Sequence, residues 1–269
     1  MPLKIAVCMK QVPDPEHFDR ITMDPDTGAI IRSGIPAVTN LLDRHALEEA
    51  LRIREKYGGS VTVLTMGPPQ ARKCLEEALA TGADEGVLLC DPSFAGADTL
   101  ATARVLAAGI RTLRGCDLVL CGNESADGAT GQLPAQLAFF LRLPHATHVR
   151  KIQWINERRV ILDRNTEDGY LKVDLQLPAV IAVLKKINTY RFPTVLGIME
   201  ATNKPIAEYG CSICEEAGLS WEEIGGTGSP TRVVGIFEPK NRRKVEMIEG
   251  EPREIAKRLI RRLHELDVL

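Results

Sequence analysis

The sequence has no long hydrophobic segment and no marked excess of charge of either sign. No apolar run approaches the roughly 20 residues that cross a bilayer, and the N-terminal residues lack the features of a signal peptide. We therefore expect a cytoplasmic protein without direct membrane insertion. The formal net charge of −2 argues against binding to nucleic acid. With 269 residues, 44% of them hydrophobic, the chain can bury a core of its own.

Several catalytic and binding motifs are also missing. The chain has neither the GxGxxG nor the GxxxxGK[ST] spacing, and it has no nucleophile elbow. Cys211-Ser-Ile-Cys214 has no second cysteine pair at metal-site spacing, so we interpret it as structural thiols and predict no metal site. The seven cysteines fit reduced thiols better than a disulfide framework.

Short apolar runs alternate with helical patterns over the first half of the chain, which favours a Rossmann-like α/β fold with a parallel sheet. We predict a helix from Thr130 to Leu143. Polar and apolar residues alternate from Thr147 onward, which predicts an antiparallel extension of that sheet. The predicted strands of the parallel part are Leu3 to Met9, Val61 to Thr65, Gly86 to Cys90 and Asp117 to Cys121.

The pattern loosens from about Asn188, and GGTGSP (Gly225 to Pro230) resembles a linker. One amphipathic helix is predicted near the C-terminus, from Arg253 to Leu266. Because this helix follows a long, loose arm, we expect its apolar face to pack on a partner.

In an open parallel sheet, ligands bind beyond the carboxyl ends of the strands. The most informative loop there is Gly122 to Gln132, where glycines, hydroxyls and amides precede a helix and could surround a phosphate. An ordinary polar loop capped by Thr130 is the alternative. Asp127-Gly128 could make a turn or contact ribose hydroxyls, and Asn40 is more typical of a cap than of a ligand.

Several segments, in their order and spacing, resemble the beta subunits of electron transfer flavoproteins. AVCMKQVPD is similar to that family's AVKxVxD opening, and Asn40 followed by ALEEALRIRE is similar to its Asn and AxEEAxRxKE helix. GPPQARKCLEEALATGAD resembles GPxxxxxxLRxALAMGAD, and INTYRFPTVLGIMEATNKPI resembles NEPRYxxLxxIMxAxKKxI. The ADGATGQ loop falls at the position of the family's nucleotide loop.

The resemblance implies an adenine-nucleotide-binding α/β domain, residues 1–189, in a heterodimer with an FAD-bearing alpha subunit. Residues 190–269 would form a partner-docking loop and a C-terminal arm that packs on the alpha subunit. The nucleotide-binding positions that carry over from the family are Cys8, Asn40, Leu41, Leu42, Asp43, Met66, Gly122, Asn123, Glu124, Ser125, Ala126, Asp127, Gly128, Ala129, Thr130, Gly131, Gln132 and Leu133.

The same resemblance implies a docking loop for an acyl-CoA dehydrogenase or a similar flavoenzyme, with Val195 or Leu196 as its apolar anchor. Thr189-Tyr190 stands where the family has Glu-Pro. The residues of this loop are Tyr190, Arg191, Phe192, Pro193, Thr194, Val195, Leu196, Gly197, Ile198 and Met199.

Two branches of the family differ in the nucleotide of the beta subunit. In the housekeeping branch it is a structural AMP, and electrons pass to a quinone reductase. In the bifurcating branch a second FAD takes electrons from NADH and delivers some of them to ferredoxin. DGATGQLP (Asp127 to Pro134) is closer to the DGDTAQVGP loop of the second branch, which favours FAD over AMP.

Either branch implies an electron-carrier subunit that performs flavin chemistry only within the complex. A rival function from another class is an ATP-using enzyme of the same nucleotide-binding superfamily. That enzyme would need a metal and a leaving-group site, and the sequence shows a motif for neither.

Overall fold

A computed structural model of the chain describes residues 2–20, 22–23, 30–31, 34–113, 115–234 and 245–268. The chain divides into two compact units, Met1–Val234 and Gly235–Leu269. The assignment of residues 190–269 to partner binding stays a prediction. Among the described residues, no helix combines the length and apolar character needed to cross a membrane.

The secondary structure alternates between strands and helices in the first unit. Its strands are β1 (Leu3–Cys8), β2 (Gln11–Pro13), β3 (Thr22–Met23), β4 (Ile30–Ile31), β5 (Ala37–Thr39), β6 (Gly59–Met66), β7 (Glu85–Leu89), β8 (Leu118–Gly122), β9 (His145–Ile155), β10 (Arg159–Asn165), β11 (Tyr170–Gln176), β12 (Ala179–Val183) and β13 (Ile206–Tyr209). The helices of both units are α1 (Leu41–Tyr57), α2 (Arg72–Thr81), α3 (Thr99–Thr112), α4 (Leu133–Leu141), α5 (Val195–Ala201), α6 (Ser212–Glu216) and α7 (Pro252–Glu265).

Nine strands form one central sheet in the order β11-β10-β9-β12-β8-β1-β6-β7-β13. The seven strands β9-β12-β8-β1-β6-β7-β13, which are neighbours in this spatial order, are parallel to one another. In contrast, β10 pairs antiparallel with both β9 and β11. This arrangement confirms the predicted α/β fold with a parallel sheet and an antiparallel extension.

Helices cover both faces of the sheet, and the two faces have separate apolar cores. Residues of α1 and α2 pack with one set of strand side chains, which includes Val7 and Leu120. Residues of α3, α4 and α6 pack with the opposite set, which includes Ala6 and Val119. Every residue of β8 is therefore buried, because parallel strands in the middle of such a sheet are shielded on both sides.

The order of the strands reverses between β1 and β8, which are neighbours in the sheet. After β1 the chain proceeds through α1 to β6 and β7 on one side. After β8 it proceeds through α4 to β9 and β12 on the other side. The two connections leave in opposite directions, so a crevice opens at the carboxyl ends of β1 and β8, where ligands bind in folds of this kind.

Two sequence predictions about local structure were wrong. Helix α4 begins at Leu133 instead of Thr130, because Ala129 (φ +45°) and Gly131 (φ +62°) have left-handed backbone conformations that a right-handed helix excludes. The GGTGSP segment belongs to the first unit and is packed against its other residues: the Gly226 N–H donates to the carbonyl of Ala95 at 2.8 Å. Ser229 of the same segment is buried, so the segment is not a free linker.

The chain after β12 crosses the face of the sheet that α1 and α2 cover, and it contains regular elements that the loose sequence pattern did not predict. Helix α5 packs on α2, and β13 then adds to the edge of the sheet, parallel to β7. The Lys204 ammonium donates to the carbonyl oxygens of Leu79 and Ala83 at 3.0 and 2.8 Å. These contacts fix the chain between α5 and β13 to the end of α2.

The second unit contains the predicted C-terminal helix, which the structure confirms as α7. No residue of α7 is buried, and the apolar Leu259, Ile260 and Leu266 are exposed. Within this unit, Arg262 pairs with Glu246 at 3.0 Å and with Glu265 at 2.9 Å.

The contact between α5 and α2 depends on the absence of a side chain at Gly197. A Cβ atom at this position would lie 2.2 Å from the carbonyl oxygen of Ala80. We expect Gly197→Ala to lower the free energy of unfolding by about 1–3 kcal/mol and to increase hydrogen exchange in α5. Gly169→Ala is the matched control, because a Cβ there meets nothing within 4 Å. Equal stability and exchange in the two variants would contradict this packing.

Candidate functional site

A buried carboxylate joins the two loops that flank the crevice. Asp43, in the first turn of α1, accepts a hydrogen bond from the N–H of Lys10 (Oδ2, 2.9 Å) and another from the N–H of Gly122 (Oδ1, 2.9 Å). Lys10 follows β1 and Gly122 ends β8. One side chain therefore holds the carboxyl ends of both central strands against the start of α1.

Burial raises the pKa of Asp43 to about 7, although the hydrogen bonds from Lys10, Gly122 and Asn40 act in the opposite direction. Removing the carboxylate from water penalises its charged form more than these donors stabilise it. The residue therefore titrates close to neutral pH.

Asn40 provides a second connection between α1 and the loop after β8. It occupies the N-cap position of α1, but its side chain makes no capping hydrogen bond. Instead, its Nδ2 donates to the carbonyl of Glu124 at 3.0 Å, and its Oδ1 accepts from the N–H of Ala126 at 3.1 Å. The predicted cap position of Asn40 is therefore confirmed, but its side chain does not cap the helix. Asn40 binds two backbone groups of the loop that the sequence identified as the best phosphate candidate.

Gly122 lets the start of α1 approach the end of β8. A Cβ atom at Gly122 would lie 2.5 Å from Asp43 Oδ1 and 2.7 Å from the Cβ of Leu42. These distances are too short for any larger residue without movement of the helix. The glycine is therefore required by packing.

The backbone of the loop Gly122 to Gln132, which we call the candidate nucleotide loop, turns toward solvent at its tip. The Ala129 N–H donates to the carbonyl of Ser125 at 2.8 Å and closes a turn. Among the described residues, the N–H groups of Gly128, Thr130 and Gly131 find no acceptor. Thr130 Oγ1 accepts only a long bond of 3.4 Å from the N–H of Gln132. Successive backbone N–H groups without an acceptor in a glycine-containing turn are typical of anion-binding loops.

An ion pair connects the loop after β1 to the candidate nucleotide loop. The Lys10 ammonium lies 2.7 and 2.8 Å from the two carboxylate oxygens of Asp127, and 3.4 Å from Ser125 Oγ. The Asp127 side chain is 7% exposed and that of Lys10 is 44% exposed. Lys10 is not among the predicted site residues, although it is the second residue after β1 and lies at the carboxyl end of a parallel strand, where ligands bind in such sheets.

The remaining nucleotide-site candidates differ in how closely they approach the crevice. Cys8 ends β1, but its thiol is buried in the core on the α3 and α4 face, and burial raises the thiol pKa well above its ordinary value. Only its backbone is available to a ligand. Met66 ends β6, on the far side of β1 from β8. Leu41 is the partly exposed first residue of α1, and Leu133 is the first residue of α4.

Two polar residues of the loop bind neighbouring elements. Asn123 Oδ1 accepts from the N–H of His148 at 2.9 Å, so this side chain is directed to β9. Gln132 Oε1 accepts from Thr99 Oγ1 at 3.3 Å, at the start of α3. The structure therefore fixes both ends of the loop and leaves its tip exposed.

The predicted docking loop divides into an anchored part and an exposed part. The Tyr190 ring packs edge-on against His45 of α1 at 5.0 Å between ring centroids. Thr194 caps α5 by accepting from the N–H of Gly197 at 3.0 Å. The exposed part is apolar and contains Phe192, Val195, Leu196, Ile198 and Met199, together with the half-buried Pro193. Val195 is the most exposed of the large side chains, at 78%.

Arg191 anchors the docking loop through an ion pair with the buried carboxylate of Glu48. Its guanidinium binds Glu48 at 2.8 Å and also pairs with Glu55, both on α1. The Glu48 side chain is 3% exposed and pairs in addition with Arg52 at 2.6 Å. Hydrogen bonds from the two arginines lower the pKa of Glu48 despite its burial. Arg191 is thus engaged within the chain, and the exposed part of the loop offers apolar contacts.

Cys211 and Cys214 lie at the start of α6 with free thiols. The Cys211 N–H donates to Asp91 Oδ2 at 2.9 Å. In the part of the chain that the structure describes, no group of three or more His, Cys, Asp or Glu side chains could hold a metal ion.

The fold is that of an α/β protein with a crevice at the topological switch point of its sheet. Residues 27–211 match the electron transfer flavoprotein domain. The chain is 41% identical over 267 residues to the electron transfer flavoprotein subunit beta of Thermoanaerobacterium thermosaccharolyticum, with 99% of this chain and 100% of that one covered. The chain therefore belongs to the family of electron transfer flavoprotein beta subunits, which confirms the resemblance seen in the sequence.

Two further relatives carry more specific names. The chain is 42% identical over 269 residues to subunit CarD of the caffeyl-CoA reductase-Etf complex of Acetobacterium woodii, covering 99% of this chain and 100% of CarD. It is 34% identical over 272 residues to the acryloyl-CoA reductase electron transfer subunit gamma of Anaerotignum propionicum, with 99% and 100% coverage.

The Asp43 contacts predict a specific pH dependence of stability. The pKa of Asp43 is raised from 3.8 to about 7 in the folded state, so the native state holds the proton more tightly than the unfolded state. Stability from this group is present at low pH and is lost as the pH rises between about 4 and 7. An asparagine cannot accept from both N–H groups, so Asp43→Asn leaves one donor unpaired.

We expect Asp43→Asn to lower the free energy of unfolding by about 1–3 kcal/mol. The difference between wild type and variant should be larger at pH 5 than at pH 8. Urea unfolding at both pH values measures it, and a difference that is constant or grows with pH would contradict the assignment.

Proposed function

We propose that the chain holds an adenosine nucleotide in the crevice between β1 and β8, with its phosphate on the candidate nucleotide loop. The observation that carries this proposal is the set of backbone N–H groups at Gly128, Thr130 and Gly131, which have no acceptor among the described residues and belong to residues that are exposed or, for Gly131, half-buried. The side chains of Asn40 and Asp43 hold the loop through hydrogen bonds with its backbone.

The residues present fit a nucleotide phosphate. A Cβ at Gly131 would meet nothing closer than 3.9 Å, so the loop is open on that side. Of the two candidate nucleotides, we propose FAD, with AMP as the alternative. The open side of the loop at Gly131 and the DGATGQLP sequence favour the longer ligand.

A bound FAD would supply the redox chemistry, and the chain would bind and orient it. The backbone donors of the loop would hold the phosphate, and the contacts of Asn40 and Asp43 would keep these donors in place before the ligand arrives. Preorganised donors bind an anion without a further loss of conformational freedom. No side chain of this chain is proposed to form or break a bond.

We further propose a heterodimer with an electron transfer flavoprotein alpha subunit, which bears another FAD. The exposed apolar face of α7 supports this, because no residue of the helix is buried against the described residues of the chain, and an amphipathic helix is stable when its apolar face is covered. In the bifurcating form that we favour, NADH supplies electrons and ferredoxin is one acceptor. If the nucleotide is AMP, the complex carries electrons from acyl-CoA dehydrogenases to a quinone reductase.

The exposed part of the docking loop is proposed to bind a flavoenzyme such as an acyl-CoA dehydrogenase. Its large side chains are solvent-exposed, with Phe192 at 71% and Val195 at 78%. The names of CarD and of the acryloyl-CoA reductase subunit link those relatives to CoA-ester reductases, which supports a partner of this class.

The nucleotide content of the purified heterodimer tests the first proposal. We expect two FAD per heterodimer, whereas one FAD and one AMP would indicate the alternative. Gly131→Val should reduce the nucleotide of the beta subunit and leave the alpha-subunit FAD in place. The variant fills the open side of the loop and strains a residue at φ +62°, by about 1–2 kcal/mol.

Gly218→Val is the matched control for strain alone. Gly218 has φ +77° and open space around its Cβ position, and it lies after α6. If both variants retain the full nucleotide content, the pocket lies elsewhere. If both lose it equally, strain explains the loss and the loop is not implicated.

The docking proposal predicts an effect on electron transfer alone. Val195→Glu places a charge in the exposed apolar part of the loop and should reduce kcat/KM with the partner dehydrogenase by about tenfold or more, mainly through KM. Nucleotide content should stay unchanged. Leu171→Glu is the control, because it places the same charge at an exposed apolar residue of β11, outside the docking loop. A rate that falls equally in both variants, or in neither, would count against this surface.

A further inference from the structure

The candidate nucleotide loop carries an electrostatic conflict with an anionic ligand. Residues 122–132 include Glu124 and Asp127 but no lysine or arginine. A carboxylate close to a phosphate raises the free energy of the complex, because like charges repel and the site excludes part of the screening water. The backbone donors at the tip of the loop do not remove this charge.

Lys10, from outside the loop, offsets the charge of one of these two carboxylates, Asp127. Its ammonium contacts both carboxylate oxygens of Asp127, at 2.7 and 2.8 Å, and also Ser125 Oγ at 3.4 Å. Asp127 is nearly covered, whereas the lysine side chain is 44% exposed. The positive member of the pair is thus the one that solvent, and therefore a ligand, can reach.

The backbone of Lys10 is fixed on both sides. Its N–H donates to Asp43 Oδ2 at 2.9 Å, and its carbonyl accepts from the N–H of Asn40 at 2.9 Å. Both partners belong to the start of α1. The point from which the ammonium extends is therefore set by the same two residues that support the candidate nucleotide loop.

We propose that Lys10 is the cationic contact for the nucleotide phosphate and that Asp127 holds its ammonium over the loop. The proposal rests on the proposed function, because it assigns a charge to the same site. The pair would select nucleotides with a phosphate over the bare nucleoside. Asp127, which the sequence allowed as a turn residue or a ribose contact, then acts as the residue that positions Lys10.

Calorimetric titration of the heterodimer, stripped of its beta-subunit nucleotide, with AMP and with adenosine tests this assignment. We expect Lys10→Met to weaken AMP about tenfold while adenosine changes by less than about twofold, since one charge-assisted hydrogen bond is lost. The salt dependence of AMP binding should also decrease. Lys10→Arg, which keeps the charge, should retain AMP affinity within about threefold.

Lys56→Met is the matched control, because Lys56 is exposed near the opposite end of α1, and it should bind AMP as the wild type does. Equal losses of AMP and adenosine in Lys10→Met would overturn the proposal and show that Lys10 only maintains the shape of the loop. Unchanged AMP binding in that variant would overturn it as well. Wild-type protein that binds neither compound would overturn the proposed function itself and this assignment with it.

Discussion

The crevice depends on one buried carboxylate that binds two backbone N–H groups from different strands. Asp43 belongs to a helix, yet its oxygens reach the ends of both β1 and β8. Since those strands are the ones between which the order of the sheet reverses, the side chain fixes the width of the opening. Gly122 makes this geometry accessible, because a Cβ there would occupy the position of the carboxylate. The loop beyond β8 then starts from a fixed point.

Helix α1 also supports the proposed docking loop. Its N-terminal residues hold the loop after β8, while Glu48 and Glu55 farther along bind Arg191 of the docking loop. A buried carboxylate that pairs with two arginines has most of its hydrogen-bonding capacity satisfied, so the loss of one partner would leave charge without compensation. The candidate nucleotide loop and the proposed docking loop are therefore both held by α1.

Periodicity in the sequence predicted the α/β class, four strands of the parallel part (β1, β6, β7 and β8) and the C-terminal helix, because apolar patterns report which faces are buried. It did not predict the start of α4, which depends on left-handed conformations at Ala129 and Gly131. The contact of Asn40 with Glu124 and that of Lys10 with Asp127 join residues that are 84 and 117 positions apart in the sequence. The hydrophobic pattern of a short segment carries no information about such contacts. Gly225 to Pro230 has the composition of a linker, but its backbone finds partners only in the folded chain.

The path of the chain on either side of α5 has a mechanical consequence. The preceding strand, β12, lies inside the sheet, and the following strand, β13, pairs with β7 at its border. A force applied to α5 is thus carried both by the pairing of β12 inside the sheet and by the pairing of β13 with β7. The segment between these strands is fixed at its two ends. A partner enzyme that binds α5 would therefore contact a segment held in the sheet on both sides. Repeated binding and release would not require this segment to unfold and refold.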